Sequence, residues 1–380
     1  MIPRTLFDSD LESFRDTCRK FLEKEAIPFH PQWEKDSQVD KAIWKKAGDM
    51  GFLCPTAPET YGGLGCDFRY SAVVIEEISR SGCTGLGWPL HSDIVMPYIK
   101  NWGSEALKQK YIPKLISGEM VGAIAMTEPG TGSDLQAIKA TAIKQGDHYV
   151  LNGSKTFITN GQHADIVIVV AKTNPAEGAK GTSLLLVETN LKGFEKGSNL
   201  DKIGMKAQDT SELFFSDVKV PAENLLGLEG EGFKALMSEL PQERLLVSLS
   251  AIAACEAAIG WTKDYIQERK VFGKPICQFQ NTRFKMAEII GETTALRVFT
   301  DRCLELHLER KLDPATAAML KQLTTDLQFR VMDECVQLHG GYGYMTEYPI
   351  ARAWADSRVQ KIYAGTNEIM KEIVARSELG

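Results

Sequence analysis

The spacing of apolar and polar residues divides the chain into three regions. In residues 8 to about 118, apolar residues recur every three or four positions, which is typical of amphipathic helices. The first such segment, DSDLESFRDTCRKFLEKEA, places five apolar side chains on one helix face: Leu11, Phe14, Cys18, Phe21 and Leu22. Later segments, LGCDFRYSAVVIEEISR and SEALKQKYIPKLISG, repeat this period between glycine-rich breaks. The first region is therefore predicted to be helical.

From about residue 119 to 228 the pattern changes to short runs of β-branched and aromatic residues. Examples are DIVIVVAKT, TSLLLVET and SELFFSDVKV, and the segment ATAIKQGDHYVLNG predicts a hairpin with Gly146 and Asp147 at its turn. Because these strands follow one another without intervening helices, they favour an antiparallel barrel or sandwich.

The third region, from residue 229 onward, is predicted to contain longer helices. Pro241 suits the first turn of a helix that runs to about Lys270, and the segment LLVSLSAIAACEAAIGW is apolar on nearly every side, which predicts burial. Asp313 and Pro314 suit the N-cap and first turn of another helix. We therefore expect an α+β protein with an N-terminal helical domain (1–120), a central β domain (121–228) and a C-terminal four-helix bundle (229–380).

The composition excludes some classes of protein. The chain has 44 basic and 50 acidic residues and a net charge of −6, whereas nucleic-acid-binding domains are usually basic. Its eight cysteines form no C-x-x-C pair, which is typical of reduced thiols. The start, MIPRTLFDSD, lacks the apolar core of a signal peptide, and no transmembrane segment is predicted. These features favour a bacterial cytoplasm or an organelle matrix.

Four segments carry candidate chemistry, although each also has a simpler interpretation. AMTEPGTGSDLQAIKA can bring backbone N–H groups close to a ring or phosphate, but alone it suits a surface turn. SKTFITNG ends a strand with an aromatic residue that can cover a ring. The glycines of QLHGGYGYMTEYPIARAWAD suit a helix C-cap, and the basic end of QERKVFGKPICQFQ suits the helix dipole or a phosphate. Because the common motifs of zinc proteases, P-loops and serine hydrolases are missing, no metal site is predicted.

Together these segments resemble the acyl-CoA dehydrogenase family over essentially the whole chain. The resemblance rests on AMTEPGTGSDLQA and QLHGGYGYMTEYPIARAWAD, whose residue types are in register with the family motifs. Within the family, LHSDIVMPYI, LPQERLL and YAGTNEIMKE are most similar to the long-chain branch. The resemblance implies a noncovalent FAD cofactor, an acyl-CoA substrate, an electron-transfer flavoprotein as electron acceptor and a homotetramer.

The resemblance also implies two sets of site residues. The residues expected to bind FAD are Ala125, Met126, Thr127, Ser133, Phe157, Ile158, Thr159, Arg269, Phe279, Gln280, Gln337, Gly340, Gly341, Thr366 and Glu368. Of these, the residues from Arg269 to Gly341 would reach the adenine-diphosphate portion from a neighbouring subunit. The residues expected to bind substrate are Ser133, Arg244, Ala364 and Gly365.

The position of the catalytic base is a departure from many family members. In those members a carboxylate precedes the Gly-Thr of the C-terminal motif, where this chain has Ala364. The long-chain and isovaleryl branches resemble this chain at QERL, which implies Glu243 as the base; Glu239 matches no family role. An apolar pocket would raise the pKa of such a glutamate, and the backbone N–H of Ala364 would hold the substrate carbonyl.

Three hypotheses about the function therefore remain open. The leading hypothesis is an FAD-dependent acyl-CoA dehydrogenase of β-oxidation that acts on medium or long chains. The second is a flavin oxidase or monooxygenase on the same fold. The third is a catalytically silent acyl-CoA-binding protein, which would bind its ligand without reducing a flavin. For Glu243 taken alone, the simpler interpretation is a solvated first-turn carboxylate favoured by the helix dipole.

Overall fold

Helices form the N-terminal region of the computed structural model, which describes residues 2–380. They are α1 (Ser9–Glu25), α2 (His30–Asp36), α3 (Ala42–Asp49), α4 (Phe68–Ser81), α5 (Trp88–Leu90), α6 (Met96–Trp102) and α7 (Glu105–Ile116). The side chain of Asp8 caps α1 by accepting hydrogen bonds from the backbone N–H groups of Asp10 and Leu11. Leu11, Cys18 and Leu22 are buried along α1, which confirms its predicted apolar face.

The central region is built on one sheet of eight strands within residues 2–380. The strands are β1 (Gly122–Ala125), β2 (Thr141–Gln145), β3 (His148–Thr159), β4 (Ile166–Lys172), β5 (Thr182–Glu188), β6 (Phe194–Asn199), β7 (Thr210–Pro221) and β8 (Leu225–Leu226). Their order is β6-β7-β3-β2-β4-β5-β8, and β1 pairs with β4. Neighbours are antiparallel, except that β4 is parallel to β1 and, at one position, to β2. The predicted hairpin is confirmed, since Gln145 and His148 pair across the turn between β2 and β3.

Strand β4 is buried on both faces and separates two hydrophobic cores. Ile166 and Ile168 pack with α6, α7 and Leu236 in the first core. Val167 and Val169 point to the other face, where they pack with residues of β3 and β7. One face of the sheet therefore packs against helices, and the site described below lies on this side of the sheet.

The C-terminal region is helical, as predicted. Its helices are α8 (Gly232–Glu268), α9 (Gln280–Leu308), α10 (Pro314–His339), α11 (Pro349–Ser357) and α12 (Asn367–Leu379), with a small ribbon of β9 (Lys270–Val271) and β10 (Lys274–Pro275) after α8. Helices α8, α9, α10 and α12 pack on one another as a bundle. Asp313 caps α10 by accepting from the backbone N–H groups of Ala315 and Thr316, which confirms the predicted start of that helix.

The predicted start of α8 is wrong. The helix begins at Gly232, so Pro241 lies inside it and not in its first turn. A proline inside a helix removes one backbone hydrogen bond, and only packing elsewhere can compensate. Ala235 and Leu236, upstream of Pro241, are each 1% exposed and belong to the first core of the sheet. Their burial holds the additional turns in place.

Helix α8 is also apolar enough to deserve comparison with a membrane span. Among the helices of residues 2–380 it alone meets the length and hydropathy expected of such a span. However, 61% of its most apolar window is buried inside the protein, as in a core helix.

A buried carboxylate links the N-terminal helices to the C-terminal bundle. Glu76 of α4 is fully buried and accepts hydrogen bonds from Arg4, Arg15 of α1, Arg80 of α4 and Arg297 of α9. Burial alone would raise the pKa of Glu76, but Arg297, Arg80 and Arg4 hold it well below its ordinary value, so the carboxylate stays charged. This cluster fixes α4 against α9 beside the cavity described next.

Candidate active site

A cavity of about 270 Å³ lies where the β domain meets the helices. Its walls are mostly apolar, and they come from α4, the α5–α6 region, the ends of β1 and β3, α8, α10, α11 and the segment before α12. Among the lining residues are Thr127, Phe157, Glu243 and Ala364, which the sequence predicts to be close together. The cavity therefore joins the three regions of the chain at one place.

Glu243 is the carboxylic acid of α8 that lines this cavity. Its residue is only 5% exposed, and its Oε1 accepts a hydrogen bond of 3.0 Å from the hydroxyl of Tyr98. Burial raises the pKa of Glu243 from an ordinary 4.5 to about 7, while the Tyr98 hydroxyl lowers it, Glu239 raises it and Arg244 lowers it. A carboxyl group with a pKa near working pH is suited to exchange protons as a general base. This environment differs from the solvated carboxylate of the simpler interpretation.

Ala364 approaches the same cavity on a strained loop before α12. Its φ is 52° and that of Gly365 is 87°, both in the left-handed region. Alanine adopts that conformation at a cost of roughly 1–2 kcal/mol, so surrounding contacts must hold it. Lys321, which is fully buried, donates to the carbonyl of Gly365 at 2.8 Å and to the side-chain oxygen of Asn367 at 3.0 Å.

Two further features fix this loop. Thr366 is the N-cap of α12 and accepts from the backbone N–H of Ile369. Burial, helped by the charge of Arg244, lowers the pKa of Lys321 from 10.5 to about 8. Lys321 therefore anchors the loop at the carbonyl of Gly365, and the cap at Thr366 anchors its C-terminal end.

The β domain contributes a flat, open face to the cavity. Phe157 lies at a bulge of β3, with a φ of 61° and 66% of its surface exposed. Ile158 and Thr159 follow it, and Met126 and Thr127 stand beside them at the end of β1. A large aromatic side chain presented to an open cleft on strained backbone fits a site that takes a planar ring.

A buried ion pair holds this face together. The ammonium of Lys155, which is fully buried, donates to the carbonyl of Met126 at 2.9 Å and to Glu128 at 2.9 Å. The carboxylate of Glu128 also accepts from the backbone N–H groups of Lys139 and Ala140, at 2.7 and 3.0 Å. Glu128 and Lys155 are thus paired and hydrogen-bonded, which is the condition for burying charge.

A second groove lies on the C-terminal region, and it shares no lining residue with the cavity. It brings together five of the predicted residues: Arg269, Phe279, Gln337, Gly340 and Gly341. The guanidinium of Arg269 lies 5.7 Å from the ring centre of Tyr342, and Gly340 has a φ of 60°. A methyl group added to Gly340 or Gly341 would meet no neighbouring atom within 4 Å, so these glycines leave open space above the backbone.

The structure does not bring every predicted residue to the cavity or the groove. The following lie outside both linings: Ala125, Ser133, Arg244, Gln280, Gly365, Thr366 and Glu368. Ala125 is buried in β1, and Ser133 and Gln280 are exposed. Arg244 is 5% exposed and its guanidinium lies 3.5 Å from the carbonyl of Pro314. Its predicted contact with substrate therefore stays a prediction.

Sequence reasoning missed three side chains that organise the site: Tyr98, Lys155 and Lys321. Tyr98 and Glu243 are 145 positions apart, so no local pattern relates them. Lys155 stands within SKTFITNG, the segment already singled out, yet a lysine is normally assumed to be exposed.

Three family models match consecutive parts of the chain. The N-terminal domain of acyl-CoA dehydrogenase matches residues 8–119, the middle domain matches 123–218 and the C-terminal domain matches 230–379. The chain therefore belongs to the acyl-CoA dehydrogenase family, as the sequence motifs predict.

Individual relatives agree with this assignment. The long-chain specific acyl-CoA dehydrogenase of rat, a mitochondrial protein, is 52% identical over 375 residues, which are 98% of this chain and 87% of the relative. A crystal structure of an acyl-CoA dehydrogenase from Geobacillus kaustophilus matches with a TM-score of 0.97 at 49% identity, over 99% of each chain. An acyl-CoA dehydrogenase from Bacillus anthracis, complexed with FAD, matches with a TM-score of 0.93 at 32% identity, over 100% of this chain and 69% of that one.

Proposed function

We propose that the chain is an FAD-dependent acyl-CoA dehydrogenase of β-oxidation, which oxidises acyl-CoA thioesters to trans-2-enoyl-CoA with Glu243 as the catalytic base. The observation that carries this proposal is the burial of Glu243 in a cavity that Thr127, Phe157 and Ala364 also line. Family membership supports the reaction class, and the geometry supports the choice of base. Two carboxylates line the cavity, and the other one, Asp356, already accepts hydrogen bonds from the backbone N–H of Met205 and the hydroxyl of Thr84.

Glu243 takes the proton from the carbon next to the thioester carbonyl. With a pKa of about 7 the carboxyl group is largely ionised slightly above neutral pH and is still basic enough to accept a proton. When bound, FAD supplies the acceptor for the hydride that leaves the neighbouring carbon. The backbone N–H of Ala364 donates to the carbonyl oxygen, where negative charge develops. Because residue 364 is alanine, its side chain adds no second carboxylate beside Glu243.

The residues present fit the proposed cofactor. Met126, Thr127, Ile158 and Thr159 would hold the flavin ring, and the exposed ring of Phe157 would cover one of its faces. The Lys155–Glu128 pair would keep the backbone of the Met126 loop in position, as described above. Since FAD also occurs in the Bacillus anthracis relative, noncovalent binding of FAD is the function we assign to this face.

The second groove supports a further part of the proposal, which is the assembly. Arg269, Phe279, Gln337, Gly340 and Gly341 line this groove, which shares no lining residue with the cavity. We assign this groove to the adenine-diphosphate portion of an FAD held mainly by a neighbouring copy, in a homotetramer. The exposed guanidinium of Arg269 is suited to a phosphate.

The acyl chain is assigned to the apolar part of the cavity. Ile75 and Ile78 of α4, Ile94, and Leu246 and Val247 of α8 line it, and these side chains stabilise hydrocarbon by burial. The 52% identity to a long-chain specific enzyme supports long chains as the preferred substrates. An electron-transfer flavoprotein is the proposed electron acceptor. For location, a bacterial cytoplasm or an organelle matrix remains the prediction.

The test is anaerobic bleaching of the flavin by a series of acyl-CoA thioesters of increasing chain length. We expect the FAD-loaded protein to lose its absorbance with saturated substrates, fastest with long chains, and to be reoxidised slowly by oxygen. Tight binding of every thioester without bleaching would identify a silent binding protein. Rapid reoxidation by oxygen would identify an oxidase. Either result would overturn the proposal.

A further inference from the structure

Tyr98 is the residue of the N-terminal region that contacts the proposed base. It lies on α6, is fully buried and donates its hydroxyl to Oε1 of Glu243 at 3.0 Å. Within residues 2–380, Tyr98 is the one hydrogen-bond donor that the structure gives to this carboxylate. Since the surrounding walls are mostly apolar, this single contact is the main polar constraint on the side chain of Glu243.

The backbone before Tyr98 has a π-helical turn in place of an α-helical one. A π-helical segment, His91–Val95, precedes α6 directly. A π turn takes in one more residue than an α turn, so it changes which side chains of the following helix face inward, and such turns are frequent at functional sites. The same segment holds the neighbouring residue of α8, because the side chain of Gln242 donates to the carbonyl of Asp93 at 2.7 Å. Two consecutive residues of α8 are therefore held by residues 93–98.

The charges around Glu243 define what this hydrogen bond does. The titratable groups that act on the pKa of this carboxyl group are Tyr98 from α6, with Glu239 and Arg244 from α8 itself. Arg352 and Asp356 of α11 and Tyr363 line the same cavity. Glu239 is bound in turn by the side-chain N–H groups of Asn101 and Trp102, at 2.9 and 3.0 Å. A donor to a carboxylate favours its charged form, whereas burial and the charge of Glu239 favour the neutral form.

Tyr98 is able to donate at every pH at which the enzyme would work. Burial, together with the neighbouring carboxylate of Glu243, raises the pKa of Tyr98 well above its ordinary value of 10. The phenol therefore keeps its proton, and the contact remains a hydrogen bond from tyrosine to glutamate. When Glu243 accepts a proton from substrate, the phenolic proton stays on Tyr98.

We propose that Tyr98 is a positioning residue for the base: its hydroxyl holds the carboxyl group of Glu243 in one orientation and favours its ionised form. This inference rests on the proposed function, in which Glu243 accepts the proton. Through Tyr98, helix α6 would help to set the pH range in which the reaction proceeds.

The test is the pH profile of kcat/KM for Tyr98→Phe, measured on the FAD-loaded enzyme. Loss of a hydrogen bond to a carboxylate raises its pKa, so we expect the acid limb of the profile to move up by about one pH unit, with most activity regained at high pH. A merely structural role would lower kcat/KM equally at every pH and leave the limb in place. That result would overturn the proposal.

A matched control is available on α7. Tyr111 is also fully buried and donates its hydroxyl to a glutamate, Glu188, at 2.6 Å, but Glu188, unlike Glu243, lies outside the cavity lining. Tyr111→Phe removes the same atom and the same kind of contact, and we expect it to leave the acid limb unmoved. An equal displacement in both variants would contradict a specific effect at Glu243.

An infrared titration separates this inference from the proposed function. The band of protonated Glu243 is identified as the carboxylic acid signal that disappears in Glu243→Gln, and Tyr98→Phe should move its titration to higher pH. Tyr98→3-fluorotyrosine, whose phenol is more acidic and a stronger donor, should move it to lower pH. A moved band with an unmoved activity limb would support the hydrogen bond but refute Glu243 as the base. An unmoved band in both variants would refute the role of Tyr98.

Discussion

Replacing Glu243 by glutamine is expected to make the folded protein more stable at pH 8, although it removes the proposed base. In the folded state the pKa of this carboxyl group is about 7, compared with an ordinary value of 4.5. A group whose folded pKa is raised in this way is protonated in the folded state while the unfolded chain loses its proton. The free energy of unfolding therefore falls as the pH rises from about 4.5 to about 7.

The magnitude follows from the two pKa values. Their difference of about 2.5 corresponds to about 3 kcal/mol of stability that the wild-type protein lacks above pH 7. Glutamine carries no charge and so avoids this cost, and its side-chain oxygen still accepts from Tyr98. Its amide N–H groups, however, face an apolar wall, which costs about 1 kcal/mol. We expect Glu243→Gln to be about 2 kcal/mol more stable at pH 8 and nearly equal to wild type at pH 5.

The assay is urea unfolding of the FAD-loaded protein at both pH values, in excess FAD, followed by tryptophan fluorescence and by release of the flavin. Glu239→Gln is the matched control, since Glu239 stands one turn earlier on α8 but is half-buried and bound by Asn101 and Trp102. This control should gain much less at pH 8, because it removes only the charge of Glu239 and leaves the buried carboxyl group of Glu243 in place. A stability difference for Glu243→Gln that is the same at pH 5 and pH 8 would refute the reasoning.

Two other predictions concern the exchange of the base and the face of the β domain. Glu243→Gly combined with Ala364→Glu should recover part of the turnover lost in Glu243→Gly alone, with a shorter optimal chain length; a folded, FAD-loaded and fully inactive double variant would contradict this exchange. Lys155→Met leaves Glu128 without its buried counter-ion and Met126 without its donor, so it should cost about 3 kcal/mol of stability and weaken FAD binding at least tenfold. Titration of the apoprotein with FAD measures this effect, and the added change Glu128→Gln should restore part of the affinity; unaltered FAD binding by Lys155→Met would count against the role of the pair.

The organisation of the fold could be predicted because its signals are local. The helical spacing around Leu11 and Leu22, the cap at Asp313 and the turn at Gly146 all depend on neighbouring residues. The parallel pairing of β1 with β4 and the true start of α8 depend on distant contacts instead. Pro241 is a sound local signal for a helix start, but the burial of Leu236 outweighs it.

Only some residues of the candidate site could be predicted from the sequence. The pairing of Ala364 with Glu243 follows from family motifs, because the absence of one carboxylate draws attention to the other. The hydroxyl of Tyr98 and the ammonium groups of Lys155 and Lys321 follow from no such pattern. Lysine is normally exposed, and its burial is decided by contacts between segments that are far apart in the chain. These three side chains hold the site in shape, and the fold had to be seen before they could be identified.

The most direct test of Glu243 as the base is anaerobic rapid mixing of FAD-loaded wild-type and Glu243→Gln protein with the same long-chain acyl-CoA. Glutamine has nearly the same shape and keeps the contact with Tyr98, so FAD content and acyl-CoA affinity should be retained. We predict that the flavin is reduced about 10²–10⁴-fold more slowly in the variant, the usual effect of losing a positioned base. Reduction at a rate near that of wild type would contradict the account.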